Sequence, residues 1–166
     1  MPLYFAYGSN MDRAAMAARC PGSKRLGLAQ LARHRFIVTR EGYASVLRDP
    51  RRTVWGVLWD VAFADMPALD RYESVAGRLY VKLTQPIITE RGARRALIYV
   101  GRSAGAGQPR PGYLEGVVAA AREAGLPPDY IAEIEAWSLQ TAARQAAPAK
   151  PQVRALWSSP LAKDGR

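Results

Sequence analysis

The 166-residue chain holds one cysteine, Cys20, and one histidine, His34. A lone thiol cannot close an internal disulfide, and one imidazole beside one thiol makes no metal-ligand cluster, so a disulfide framework and a structural zinc site are excluded. Long apolar runs are missing too: nothing approaches about 18 consecutive hydrophobic residues, and no basic segment followed by a hydrophobic one opens the chain. The expectation is a soluble cytoplasmic protein with no membrane partner. Acidic residues are scarce beside basic ones, 14 Asp and Glu against 24 Lys and Arg, for a formal net charge of +10. Such an excess invites a nucleic-acid reading. Its distribution argues otherwise, because single arginines and pairs such as Arg51-Arg52 and Arg94-Arg95 are scattered through strands and loops without a polybasic run. The excess reads as a solvated basic surface, and no nucleic-acid partner is expected.

What remains is an ordinary globular composition, 49% hydrophobic and 23% charged, in a chain of the right length for one domain with one core. Leu3 to Tyr7 is apolar and aromatic, like a buried strand, and it stops at Gly8-Ser9-Asn10, residues that favour turns and helix starts. A strand, a tight turn and a short helix over Met11 to Arg19 follow from that pattern, the helix ending at Pro21-Gly22. Leu26 to Arg40 reads as one or two strands, with His34 as a hydrogen-bonded or charged surface residue rather than a base. A short strand over Gly42 to Leu47 closes at Asp49-Pro50. Thr53 to Val61 is the clearest strand, carrying Trp55 and Trp59.

Ala64 to Tyr72 has helical spacing and ends at Glu73, and strands follow at Arg78 to Thr84 and Arg95 to Val100. Residues 101–112 are rich in glycine and proline and read as an exposed loop of the length that is often functional. Tyr113 opens a helix to about Ala124, and Asp129 caps another carrying Tyr130, Ile131, Ile134 and Trp137. The pattern fades near Gln140, so the expected organisation is a domain over 1–140 and a surface-lying or partly disordered tail over 141–166.

Four segments in sequence carry a resemblance. Tyr4-Phe5-Ala6-Tyr7-Gly8-Ser9-Asn10-Met11, Val54-Trp55-Gly56-Val57-Leu58-Trp59, Leu69-Asp70-Arg71-Tyr72-Glu73 with Tyr80 seven residues on, and Tyr113 with Gly125-Leu126-Pro127 and Tyr130 together resemble the γ-glutamylcyclotransferase family, in order and at family spacing, across residues 3–137. The resemblance implies an α+β fold, a small mixed barrel-like sheet flanked by helices with a pocket at one end. It also implies the reaction: a γ-glutamyl amide, of an amino acid or an amine, cyclises to 5-oxoproline and releases its amino acid or amine. The segment Tyr4, Phe5, Ala6, Tyr7, Gly8, Ser9 and Asn10 would line the pocket, and Tyr113 would contact substrate. Tyr80 is a less direct candidate, since a tyrosine entering a strand commonly packs in the core.

The chemistry fits these residues. The substrate's own α-amine attacks its side-chain carbonyl, an intramolecular acyl transfer that needs no enzyme nucleophile, metal or cofactor, and none is expected. A base must take a proton from the amine, and the departing nitrogen needs one back. One carboxyl between the two nitrogens can do both. Glu73 is the candidate, expected to be partly buried by aromatic neighbours with its pKa raised. Backbone N–H groups at Tyr7-Gly8-Ser9 would hold the developing oxyanion or the substrate carboxylate. The bland alternative for Glu73 is a helix end or a surface pair with Arg71 or Arg78. A serine-hydrolase reading of Ser9 lacks a Gly-x-Ser-x-Gly elbow, with His34 the sole available base.

In better-known family members a glycine commonly follows this glutamate; here Ser74 follows, which leaves the turn's shape and the substrate range open. The rival reading is an inactive relative that binds a small anion or an acidic partner through the same cradle. The oligomeric state stays open, a homodimer included.

Overall fold

The computed structural model describes residues 1–146 except 75, 76 and 104. Five strands carry the fold: β1 (Leu3–Ala6), β2 (Lys24–Val38), β3 (Ala44–Asp60), β4 (Tyr80–Thr89) and β5 (Gly92–Gly101). They close into a barrel in the order β1-β3-β2-β4-β5. Every pairing is antiparallel except the seam, where β1 runs parallel to β5 with Tyr4 opposite Leu97. Closure removes the open sheet edges that would otherwise present unpaired backbone groups. The expected small mixed barrel-like sheet flanked by helices is therefore the observed architecture.

Between strands lie a 3-10 turn at Ser9–Met11, helix α1 (Arg13–Arg19), a second 3-10 turn at Phe63–Asp65 and helix α2 (Met66–Tyr72). Helices α3 (Tyr113–Ala124) and α4 (Pro128–Ala146) follow β5. In α3 the apolar stripe of Leu114, Val117, Val118 and Ala121 is buried at helical spacing, and it continues into Tyr130, Ile131 and Ile134 of α4. Among the described residues no helix is long and apolar enough to cross a membrane. Helix α4 continues to Ala146, six residues past the point where its sequence pattern fades. The rest of the expected tail, 147–166, lies outside the described residues.

The β2–β3 hairpin is longer than its sequence signals suggest. Asp49-Pro50 does not close a strand; β3 runs through it without a break. The register explains why a proline is tolerated: Ala32 faces Thr53 and His34 faces Arg48, so Asp49–Arg52 bulge opposite Arg33, whose φ is 59°. A proline at a bulge removes no ladder hydrogen bond. His34 is buried rather than on the surface, and its Nδ1 lies 2.8 Å from the Ala32 carbonyl oxygen. Proline is tolerated again at Pro86, well inside β4, which extends five residues beyond the expected Thr84.

The core is aromatic and β-branched, with Phe5, Val54, Val57, Trp59, Ile87 and Ile98 all buried in it. Trp59 is buried, while Trp55 is packed against the core only in part. Gly56 allows β1 and β3 to approach: a Cβ there would lie 2.3 Å from the Ala6 carbonyl oxygen. That close approach brings the C-terminal end of β1 to the place where the site forms.

Candidate functional site

The C-terminal ends of β1 and β5, the N-terminal ends of β3 and β4, the close of α2 and the start of α3 meet at one end of the barrel. A small cavity of about 20 Å³ lies there, lined by Tyr4, Tyr7, Gly8, Ser9 and Asn10, by Glu73 and Tyr80, and by Ala44, Tyr99 and Tyr113. An adjoining hollow of about 180 Å³ shares Ser9, Glu73, Tyr80 and Tyr113 with it and adds Tyr43, Tyr72, Ser74 and Leu79. Residues from five separate stretches of sequence thus surround one carboxyl group.

Glu73 reaches the cavity because of how α2 ends. Its own N–H still donates to the Leu69 carbonyl at 3.0 Å, closing the helix, and the next residue turns sharply with φ 49° at Ser74. Helix-end capping is therefore the work of the Glu73 backbone, and the side chain is free for another task. Neither Arg71 nor Arg78 pairs with it among the described residues. Instead Oε1 accepts from Asn10 Nδ2 at 2.8 Å and from the Tyr4 hydroxyl at 3.4 Å. Oε2 has no hydrogen-bond partner among the described residues. Burial pushes the carboxyl from its ordinary 4.5 up to about 7, against the opposing pull of the Tyr4 and Asn10 bonds and of the Arg19 charge. Glu73 can therefore both take and return a proton near neutral pH.

The phenols around it are fixed. Tyr80 donates to the Ala44 carbonyl at 2.6 Å, and Tyr113 accepts from the Ala44 N–H at 3.1 Å, so both hydroxyls grip one residue at the start of β3. Tyr7 donates to the Tyr99 carbonyl, and the Tyr99 hydroxyl donates to Asp70 at 2.5 Å, where Lys82 also binds. Burial raises the pKa of Tyr4, Tyr7, Tyr80, Tyr99 and Tyr113, so these hydroxyls stay protonated. Ser9 pairs with Tyr72 through hydroxyls 2.9 Å apart at the mouth.

Gly8 leaves room where a side chain would intrude. A Cβ at that position would sit 3.3 Å from both the Ala44 methyl and the Tyr113 hydroxyl, inside the cavity. The turn's own hydrogen bonds run from Met11 N–H to the Gly8 carbonyl and from Asp12 N–H to the Ser9 carbonyl, so they engage none of the N–H groups of Tyr7, Gly8 and Ser9. The helix cap proper is Asp12, whose carboxylate accepts from Ala15 at 2.6 Å. Gly8-Ser9-Asn10 is thus a turn ahead of the helix rather than the helix start itself.

Most of the expected site residues converge on this cavity: Tyr4, Tyr7, Gly8, Ser9, Asn10, Glu73, Tyr80 and Tyr113. Phe5 and Ala6 do not line it. Both are fully buried, with the Phe5 ring turned toward Gly56 and tilted against Tyr7. Ala44 and Tyr99 line the cavity without having been singled out from sequence; each sits in an ordinary strand pattern and joins through pairing alone. Among the described residues no group of three or more His, Cys, Asp or Glu could hold a metal ion.

A family model described as the AIG2-like family matches residues 53–134. The γ-glutamylcyclotransferase of Homo sapiens is 27% identical over 145 residues, covering 81% of this chain and 77% of its own. That of Bos taurus is 29% identical over 139 residues, covering 77% of this chain and 74% of its own. The family that the chain resembles on these matches is the AIG2-like γ-glutamylcyclotransferase family. A solved structure named γ-glutamyl cyclotransferase superposes with a TM-score of 0.75 at 26% identity, over 81% of this chain and 86% of that one. The fold of this chain is the closed barrel, and its cavity holds Tyr4, Tyr7, Gly8, Ser9, Asn10 and Glu73 from the segments that carried the resemblance.

Proposed function

We propose that this protein is a γ-glutamylcyclotransferase that cyclises a γ-glutamyl amide, of an amino acid or an amine, to 5-oxoproline, with Glu73 as the single proton carrier. The observation that carries the reading is the Glu73 carboxyl itself: it sits in a cavity of neutral hydroxyls, bonded through one oxygen, and holds its proton to about 7. Its free Oε2 would take a proton from the substrate's α-ammonium as the amine attacks the side-chain carbonyl. Negative charge then develops on that carbonyl oxygen, where N–H groups of the Tyr7-Gly8-Ser9 turn would stabilise it. The same carboxyl, now protonated, would deliver that proton to the departing nitrogen as the C–N bond breaks, and a second relay through it would carry the remaining extra proton from the ring nitrogen to the released amine, leaving a neutral lactam and an ammonium product. Proton balance closes on one residue, with no water consumed.

The cavity and the larger adjoining hollow together would receive the γ-glutamyl amide, with Glu73 and Tyr113 lining both. Holding the chain bent is a large part of the advantage, because positioning for ring closure removes several kcal/mol of the barrier. A pure anion-binding relative has no use for a carboxyl in its cradle, which would repel the ligand once ionised.

The test is 5-oxoproline release from a panel of γ-glutamyl amino acids and γ-glutamyl amines, wild type against Glu73→Gln. Turnover that falls about 10²–10⁴-fold in the variant, with ligand-induced thermal stabilisation kept, supports the reading. Equal turnover in both proteins sinks the role of Glu73, and silence across the panel despite binding favours the inactive binder.

A further inference from the structure

Helix α1 sends one side chain to the site from behind. Arg19, in the last turn of α1, donates to Asn10 Oδ1, and its guanidinium carbon lies 3.3 Å from the centre of the Tyr72 ring. The first contact settles which way the Asn10 amide faces. With Oδ1 held by a cationic donor, Nδ2 must point the other way, and there it donates to Glu73 Oε1 at 2.8 Å and to the Tyr4 hydroxyl at 3.1 Å. A flipped amide would set oxygen against carboxylate oxygen and leave the guanidinium facing an NH₂ group, two repulsive contacts in place of two attractive ones. The Asn10 main chain is pinned as well, its carbonyl accepting from Trp59 Nε1 at 3.1 Å. Through the second contact Arg19 also braces Tyr72, whose hydroxyl meets Ser9 across the mouth.

We propose that Arg19 is a positioning residue for the reaction: it orients the Asn10 amide, and the amide in turn holds Glu73 Oε1 so that Oε2 faces the cavity. The catalytic consequence rests on the reading of Glu73 as proton carrier; the orientation itself does not. The groups facing Glu73 from the packed elements are Tyr4 and Tyr7 from the β1 segment, Tyr72 from α2, Tyr80 from β4, Tyr99 from β5, Tyr113 from α3 and Arg19 from α1. Six of these seven are phenols. Among the described residues Arg19 is the cation whose charge reaches the carboxyl. Removing it takes away both a positive charge and the cause of a well-aimed N–H donor, and each of these favours the ionised carboxylate.

The experiment is a ¹³C NMR titration of the Glu73 carboxyl in the ligand-free protein, for wild type, Arg19→Met, Arg19→Lys, Asn10→Leu and the Arg19→Met/Asn10→Leu double variant, beside the pH profile of kcat/KM. Arg19→Met is expected to raise the titration midpoint by ~0.5–1 pH unit, and Arg19→Lys to restore most of it. In the Asn10→Leu background the same change should move the midpoint less than half as far. A midpoint unmoved in a folded Arg19→Met protein overturns the proposal. So does an equal displacement with and without Asn10, which would make the effect direct charge rather than orientation. A midpoint that moves while the acid limb of kcat/KM stays in place upholds the positioning and instead refutes Glu73 as proton carrier.

Discussion

Glu73→Gln is expected to make the protein more stable while it destroys turnover. Burial lifts the folded-state pKa of this carboxyl from 4.5 to about 7, so between those pH values the folded chain binds a proton that the unfolded chain does not. Stability from this group is therefore greatest below about pH 4.5 and is lost as pH rises through about 7. The loss, at about 1.36 kcal/mol per pH unit over roughly 2.5 pH units, is about 3 kcal/mol at pH 8. Glutamine keeps the acceptor oxygen for Asn10 and carries no charge, so it escapes this cost. Urea unfolding at pH 8 should show the variant more stable by up to about 3 kcal/mol, or roughly 6–12 °C in Tm, with the advantage falling below about 1 kcal/mol at pH 5. A variant no more stable than wild type at pH 8, or an advantage that persists unchanged at pH 5, would refute the burial argument.

Further predictions concern the walls. The acid limb of kcat/KM should have its midpoint near 7, so that activity one pH unit below falls to about a tenth of its plateau; a flat profile from pH 5 to 8 would count against Glu73 as base. Ser74→Gly relieves a left-handed backbone at φ 49° and should stabilise the fold by about 1 kcal/mol in urea unfolding. Gly8→Ala places a methyl 3.3 Å from Ala44 and Tyr113; the thermal midpoint should change by a few degrees at most while KM rises at least about tenfold, because the methyl fills ligand space. Tyr113→Phe leaves the Ala44 N–H without its acceptor and should cost about 1–3 kcal/mol of stability, measurable by urea unfolding.

Ser74 shows how sequence and structure divide the account. The absence of a glycine after Glu73 was visible in the chain and raised a question about the turn. In the structure Ser74 itself adopts the left-handed conformation, and the Glu73 carboxyl lines the cavity. The 101–112 loop is a second case. Its composition announced a loop, yet the chain there is tied down, with Gly107 N–H donating to the Val38 carbonyl and Arg110 held to Gly42 and Glu41 of the β2–β3 turn. Glycine and proline content records missing regular structure; it carries no information about hydrogen bonds made to a distant turn.

By itself the sequence determined the strand and helix periodicities and left Cys20 without a partner for an internal disulfide, and it offered Glu73 and the Tyr7-Gly8-Ser9 turn as candidates. Those features are local, set by residue type and spacing. Only the tertiary structure decided that β1 closes the barrel against β5, that Ala44 and Tyr99 become cavity walls, that Phe5 and Ala6 turn into the core, and that Arg19 reaches Glu73 through Asn10. Each of these depends on which strands pair and in what register. A pKa near 7 for Glu73 belongs to the same class, because desolvation is a property of everything packed around a group and not of the group's neighbours in sequence.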